Sequence, residues 1–355
     1  MARRRQSVTI KHVAADAEVS LQTVSRVINK EPNVSAGMKE RVQASIDKLG
    51  YVPSIAAQRM SGSRSYLILA LNDRERTIAQ WQAREGNDWV DQMLLGGMLK
   101  CAEHGYRMLI ELIDTRDEHI ERELGAALAS LQPDGVILTQ PHSANPKIVN
   151  MLAEANIPFV RVGSRRKGEG IPVSMDEERS TRIATEYLHN FGHRDIGFIS
   201  GPPDYNVSAW REKSWRETMR DLALDTDGRR AEGDFRIGSG ENAARVLLTG
   251  DTPCTAIISS NDQMAFGALK VARELGLSVP EDLSIVSLEN SPGVSFSQPP
   301  LTAIDQPVAD ATALAVELII NALRGAPPPE NVIVQPATLI ERESVAPARC
   351  LAGKD

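Results

Sequence analysis

The chain has 355 residues, 42% apolar and 25% charged, enough to bury a sizeable core and too many for one ordinary domain. Its formal charge of −7 is uneven, because residues 1–60 hold 10 Lys+Arg against 5 Asp+Glu and leave 30 against 42 for the rest. That excludes a protein that coats nucleic acid uniformly, and predicts a small basic head, suited to phosphates, on a large acidic body.

No apolar run of about 18 residues is present to cross a bilayer. Residues 1–6 lead into a polar amphipathic stretch rather than an apolar leader, so a cytoplasmic protein without membrane contact is expected. Cys101, Cys254 and Cys350 lie far apart and lack Cys-x-x-Cys or Cys/His ligand spacing, which predicts reduced thiols and no metal.

In chain order, Thr9 is placed to cap a helix over residues 10–17, where Val13, Ala14 and Ala17 share a face, and Ser20 to cap a second over residues 21–29. Only Glu18 and Val19 separate the first helix from the second cap. So short a turn forces a steep crossing, as in a helix-turn-helix whose second helix enters the major groove. Val24, Val27 and Ile28 then pack inward, leaving Leu21, Gln22, Ser25 and Arg26 outward. Arg bonds guanine, Gln bonds adenine and Leu touches a thymine methyl, so these four are the candidate base readers. Ser35 caps a third helix, with Met38, Val42, Ile46 and Leu49 at helical spacing and Gly50 as its stop. Lys39, Arg41 and Lys48 are left for phosphates or solvent. On spacing alone, a small structural bundle remains the alternative.

Val8-Thr9-Ile10-Lys11-His12-Val13-Ala14, then Val19-Ser20-Leu21-Gln22-Thr23-Val24-Ser25-Arg26-Val27-Ile28-Asn29, then Tyr51-Val52-Pro53-Ser54-Ile55-Ala56-Ala57, resemble the head and hinge of lactose-repressor (LacI/GalR-type) regulators over some 50 positions. The resemblance implies that Thr9, Ser20, Thr23, Asn29, Tyr51, Ser54 and Ala57 also face operator DNA. Met60 stands where the family usually places a leucine that wedges into the minor groove; methionine is unbranched and apolar, so wedging stays possible. Glu18 replaces the usual turn glycine and is expected to accept a left-handed backbone at roughly 1 kcal/mol. Residues 54–60 form only about two helical turns, marginal alone in water. The resemblance implies that two such hinges fold together on DNA.

From Tyr66 onward, apolar strands are predicted over 67–71, 107–110, 135–138, 158–160, 195–199, 256–258 and 283–286, with helical patterns between most of them. This is the alternation of doubly wound parallel α/β sheets, which bind ligands at the carboxyl ends of their strands. The residues that follow the strands are Asn72 and Asp73, Gln140, Arg161, Asp204, Asn261 with Asp262, and Glu289, a polar ring without a cofactor signature. Arg211, Asn261 and Asp262 offer donors and acceptors for vicinal hydroxyls, and Trp89 and Trp210 offer aromatic faces for a sugar ring.

The resemblance continues through Asn190–Phe198, Ser208–Arg211, Ser260–Ala268, Pro299–Thr302 and Leu339–Ser344. It implies a two-lobed, periplasmic-binding-protein-like core with three crossovers, near Gly163, Ser291 and Gly325. The expected division is a helix-turn-helix domain over 1–53, a hinge over 54–65 and an effector and dimerisation domain over 66–355. Within the last, one lobe takes 66–163 and 292–325, the other 164–291 and 326–345. The resemblance also makes Arg211 and Asp262 hydroxyl-binding, puts Asp176 at the cleft entrance, and has Glu289 replace the family's usual aspartate. Residues 72–91 depart most from the family and either shape the effector mouth or form a surface insertion or dimer contact.

Enzyme readings lack a catalytic set. His193-Arg194-Asp195 resembles a kinase catalytic loop, but the required asparagine is missing and a strand follows at once. Gly238-Ser239-Gly240 suits helix capping better than a dinucleotide turn, and His142 and His189 have no spaced partners for a metal or a nucleophile triad. No cofactor is expected. The expectation is a repressor, homodimeric on a pseudo-palindromic double-stranded operator and released by a sugar or glycoside; the alternatives are a corepressor-dependent regulator of the same fold or a solute-binding receptor. A receptor needs export and no DNA head.

Overall fold

The computed structural model describes residues 8–28, 33–51, 64–165 and 167–348. The chain divides into two compact units, one ending at Tyr66 and the other starting at Leu67. The expected hinge up to residue 63, together with Asn29, Ser54, Ala57, Met60 and Cys350, lies outside the described residues.

In the first unit, α1 (Ile10–Asp16), α2 (Leu21–Ile28) and α3 (Ala36–Leu49) enclose a core of Val13, Ala14, Ala17, Val24, Val42 and Tyr51, with Ile46 and Leu49 packed against it. Ser20 Oγ accepts the Thr23 N–H at 3.1 Å and caps α2. The α1–α2 turn is made by Glu18 at φ 52°, the left-handed backbone expected of it. Asp16 ties α1 to α3 by accepting from the Ser45 hydroxyl at 2.8 Å and the Lys48 ammonium at 2.7 Å. Gly50, at φ 60°, ends α3 and lets the Tyr51 N–H reach the Ile46 carbonyl.

The second unit contains two six-stranded sheets. The first comprises β1 (Leu67–Asp73), β2 (Arg107–Ile113), β3 (Gly135–Leu138), β4 (Phe159–Val162), β5 (Ile171–Ser174) and β11 (Ile333–Val334), ordered β11-β5-β4-β3-β1-β2 and parallel throughout. The second comprises β6 (Ile196–Ser200), β7 (Arg230–Glu232), β8 (Ala256–Ser259), β9 (Ser284–Ser287), β10 (Thr302–Asp305) and β12 (Thr338–Ile340), ordered β12-β10-β9-β8-β6-β7, with only β12 antiparallel. The helices are α4 (Arg74–Ala83), α5 (Asp88–Glu103), α6 (Asp117–Leu131), α7 (Pro146–Glu154), α8 (Glu177–Asn190), α9 (Asn206–Asp221), α10 (Ile237–Thr249), α11 (Asp262–Glu274), α12 (Pro292–Phe296) and α13 (Val308–Leu323). The central strands β1, β3, β4, β6, β8 and β9 are buried along their length, as sheets covered on both faces require.

The chain passes between sheets after β5, after β10 and between β11 and β12, each about ten to fifteen residues beyond the expected crossovers at Gly163, Ser291 and Gly325. The lobes are therefore built from 67–174 with 308–334, and from 177–305 with 338 onward. Gly163, Ser291 and Gly325 each precede one further short strand, β5, β10 and β11 respectively. β5 carries Pro172 and β10 follows Pro299-Pro300, so neither shows the uninterrupted apolar run that marks a buried strand.

Candidate functional site

On the head, Leu21, Gln22 and Arg26 are exposed along α2, Thr23 and Ser25 are half-buried, and Val24 is buried beneath them. Thr9 and Ser20 are exposed at the starts of α1 and α2. A helix whose one face fills the core has its other face free for a groove, and this one presents the residue types that read base edges. Tyr51 belongs to the three-helix core and is 8% exposed.

In the two-lobed unit the strand order reverses between β1 and β3 in one sheet and between β6 and β8 in the other, so two crevices open where a doubly wound sheet binds ligands. The crevices share one cavity of about 130 Å³ between the lobes. One lobe contributes Asn72 and Asp73 from the end of β1, Thr139 and Gln140 from beyond β3, and Trp89 from α5; the other contributes Tyr205, Arg211, Phe235, Asn261 and Glu289. The Asn72 amide oxygen accepts from the Thr139 hydroxyl at 2.7 Å, and Gln140 Nε2 donates to the Gly163 carbonyl at 2.6 Å while its Oε1 stays buried without a partner. Arg211 donates through Nη1 to the Ser260 carbonyl at 2.6 Å, and its Nε is likewise buried and unpartnered. Orphaned donors and acceptors of this kind are what a hydroxylated ligand satisfies.

Burial dominates the electrostatics. It pulls the Arg211 guanidinium down, an effect that Glu177 and Glu289 oppose. It pushes the Glu289 carboxyl up, and the like charges of Asp262 and Asp88 add to that. Asp262 is fully buried and accepts from the Ser287 hydroxyl and from the backbone N–H groups of Ser291 and Asn290, so it pins the loop after β9 from below.

The cleft mouth is bridged by α4 and the turn after it. Arg76 lies 4.7 Å from the Tyr205 ring centre, donates to the Asp234 carbonyl at 2.7 Å and faces Asp204 at 3.6 Å. Gln263 Nε2 donates to the Glu85 carbonyl at 2.7 Å. Residues 72–91 thus bridge the two lobes at the mouth of the cleft.

Comparison with known proteins follows the same division of the chain. Residues 9–54 match the bacterial regulatory proteins of the lacI family, and residues 185–345 match periplasmic binding protein-like domains. The HTH-type transcriptional regulator CelR of Thermobifida fusca is 31% identical over 351 residues, 96% of this chain and 99% of that one. The chain belongs to the LacI family of bacterial regulators. The ribose operon repressor of Escherichia coli K12 is 28% identical over 317 residues, 89% of this chain and 93% of the relative. Among solved structures, a CelR–cellobiose complex matches with a TM-score of 0.71 at 30% identity over 95% of this chain and 99% of that one. A lac repressor dimer bound to operator and the anti-inducer ONPF matches with a TM-score of 0.76 at 26% identity, covering 96% and 100%. This LacI-family protein is accordingly a DNA-binding transcription regulator.

Of the cleft residues expected in this regulator, Asn72, Asp73, Trp89, Gln140, Arg211, Asn261 and Glu289 line the cavity, whereas Arg161, Asp176, Trp210 and Asp262 do not. Arg161 is a residue inside β4 rather than after it and is 5% exposed. Asp176 sits at a lobe crossing in the left-handed region, as the N-cap of α8. Trp210 precedes Arg211 on α9, and neighbouring helical positions point about 100° apart, so turning Arg211 inward sends Trp210 out beside Arg165. Arg76, Thr139, Tyr205, Phe235 and Gln306 were not foreseen. Gln306 follows β10, so the rule of reading residues beyond strand ends finds it once that strand is known.

Proposed function

We propose that this LacI-family regulator is a repressor, homodimeric on a pseudo-palindromic operator, which a sugar or glycoside releases by filling the interlobe cleft. The carrying observation is that both lobes supply orphaned polar groups and aromatic faces to one cavity, so a polyol touching both stabilises their closure. Closure altering the spacing of paired heads links the cleft to DNA, with a coupling of roughly 1–3 kcal/mol typical of such systems. The cellobiose complex of the similar CelR and the operator complex of lac repressor support the two halves of this reading. Leu95, Met98 and Leu99, exposed on α5, supply an apolar face for the second subunit. Catalysis and a cofactor have no part in the proposal, since the relatives are regulators. A cytoplasmic site of action follows from DNA binding, and no helix among the described residues is long and apolar enough to cross a membrane.

The test is a gel-shift titration of the full chain on its own promoter with cellobiose and other sugars. Release of DNA is expected; tighter DNA binding with sugar overturns induction in favour of corepression, and no response to any sugar overturns the effector class.

A further inference from the structure

Behind the cleft lies a second chamber of about 440 Å³ that no part of the sugar reading uses, and it shares Trp89, Glu289 and Gln306 with the first. Its walls carry Asp88 from the start of α5, Glu289 from beyond β9, Asp305 from the end of β10 and Asp310 from the first turn of α13. The only cation lining it among the described residues is Arg342, which donates to the Leu301 carbonyl at 2.7 Å and the Asn290 amide oxygen at 2.6 Å and whose single charge the four carboxyl groups outnumber. The starts of α5 and α13 offset part of the negative charge, at about half an elementary charge each, and an acidic excess remains.

Gln306 stands at the neck between the chambers. It is 7% exposed, and its Nε2 is buried with no hydrogen-bond partner. A buried amide donor held open at this point calls for an oxygen acceptor on whatever spans the neck, such as a ring or hydroxyl oxygen. The chamber is not built for a bare metal ion, because among the described residues only Asp114, His119 and Glu123, elsewhere on this lobe, bring three ligand atoms within 4.8 Å of one another. Carboxylates dispersed around a chamber suit an organic ammonium, whose three N–H donors fan out.

We propose that the effector is an amino sugar or its glycoside, with a hydroxylated ring in the first cavity, an oxygen on Gln306 at the neck, and a protonated amine among Asp88, Glu289 and Asp305. This rests on the sugar reading above and narrows it. Burial pushes the Asp88 carboxyl up, and the like charges of Asp262, Asp91 and Asp305 add to it against the hydrogen bond from Gln92.

The experiment is calorimetric titration of the full chain with three probes of one shape: cellobiose, the β-1,4-linked glucosamine disaccharide, and its N-acetylated form. The amine should bind about tenfold tighter than cellobiose, roughly what one charge-assisted hydrogen bond supplies, and N-acetylation should erase the advantage. In Asp88→Asn/Asp305→Asn the advantage should shrink to about twofold or less. Cellobiose or the acetylated sugar binding as tightly as the amine overturns the proposal and leaves the sugar reading standing, as does an advantage that survives in the double variant. Failure of all three to bind overturns both.

Discussion

The Tyr205 hydroxyl donates to the Asp73 carboxylate at 3.2 Å, joining the two lobes directly across the mouth of the cleft. Arg76, three residues beyond Asp73, covers the same ring and grips the far lobe through the Asp234 carbonyl. A cation–π contact and a charge-assisted hydrogen bond contribute together about 2 kcal/mol at a partly buried site. Arg76→Ala should therefore weaken sugar binding by more than about tenfold, because closure loses that support, while sugar-free operator binding stays within about twofold. Calorimetry and gel shifts on the same preparation separate the two. An equal loss on operator DNA contradicts a role confined to the cleft.

Glu289 sets a pH dependence whose sign follows from its burial. Burial, with the like charges of Asp262 and Asp88 adding to it and Arg211 opposing, pushes its carboxyl from an ordinary 4.5 up to about 8. Between those values the folded chain holds a proton that the unfolded chain has lost, so this group's contribution to stability is fully present at low pH and falls as pH rises. Glu289→Gln keeps an acceptor for the Asp262 N–H, which Glu289 Oε2 now bonds at 3.2 Å, and removes the titration. The melting temperature of the native chain should fall relative to this variant as pH rises from about 4.5 to about 8. A difference that stays constant with pH rules out Glu289 as the titrating group.

The head was legible in the sequence because its signals are local: a cap, a short turn and a helical face each occupy fewer than ten residues; Ser20 and Val24 behave as their types dictate, and Glu18 takes the left-handed backbone of the glycine it replaces in the family. The place of Tyr51 in the head's core was not legible, because it depends on residues of α1 and α2 far away in the chain. In the two-lobed unit the apolar central strands could be read, and with them Asn72, Gln140 and Glu289 at or beyond their ends. The short strands β5, β7, β10, β11 and β12 lack that pattern, and they decide where the lobes exchange chain and where Gln306 lies. Arg76 and Tyr205 meet only through lobe closure, a long-range relationship that residue spacing does not encode.

The apolar face of α5 yields a prediction about assembly. Leu99 is 61% exposed, so a charge placed there meets water in the isolated chain and costs its fold little. Against a second copy the same charge is buried unpaired, which costs several kcal/mol. Leu99→Glu should sediment as a monomer at concentrations where the native chain is dimeric, with unchanged circular dichroism. A variant that remains dimeric places the subunit interface on another face.

Direct readout by α2 predicts a pattern of loss rather than a mere loss. Arg26 is exposed one helical turn beyond Gln22, and a guanidinium there offers the paired donors that match guanine O6 and N7. Arg26→Ala should cost about 1–3 kcal/mol on the native operator and much less on an operator changed at the base pair it reads, so discrimination disappears at one position per half-site. Lys39→Ala, on the exposed side of α3, provides the contrast: a phosphate contact weakens binding to every sequence alike and lowers the salt dependence by about one counterion. Binding measured across a library of single-base operator variants distinguishes the two behaviours. Uniform weakening by Arg26→Ala would mean that Arg26 grips the backbone, and that Leu21 and Gln22 at the start of the helix carry the reading.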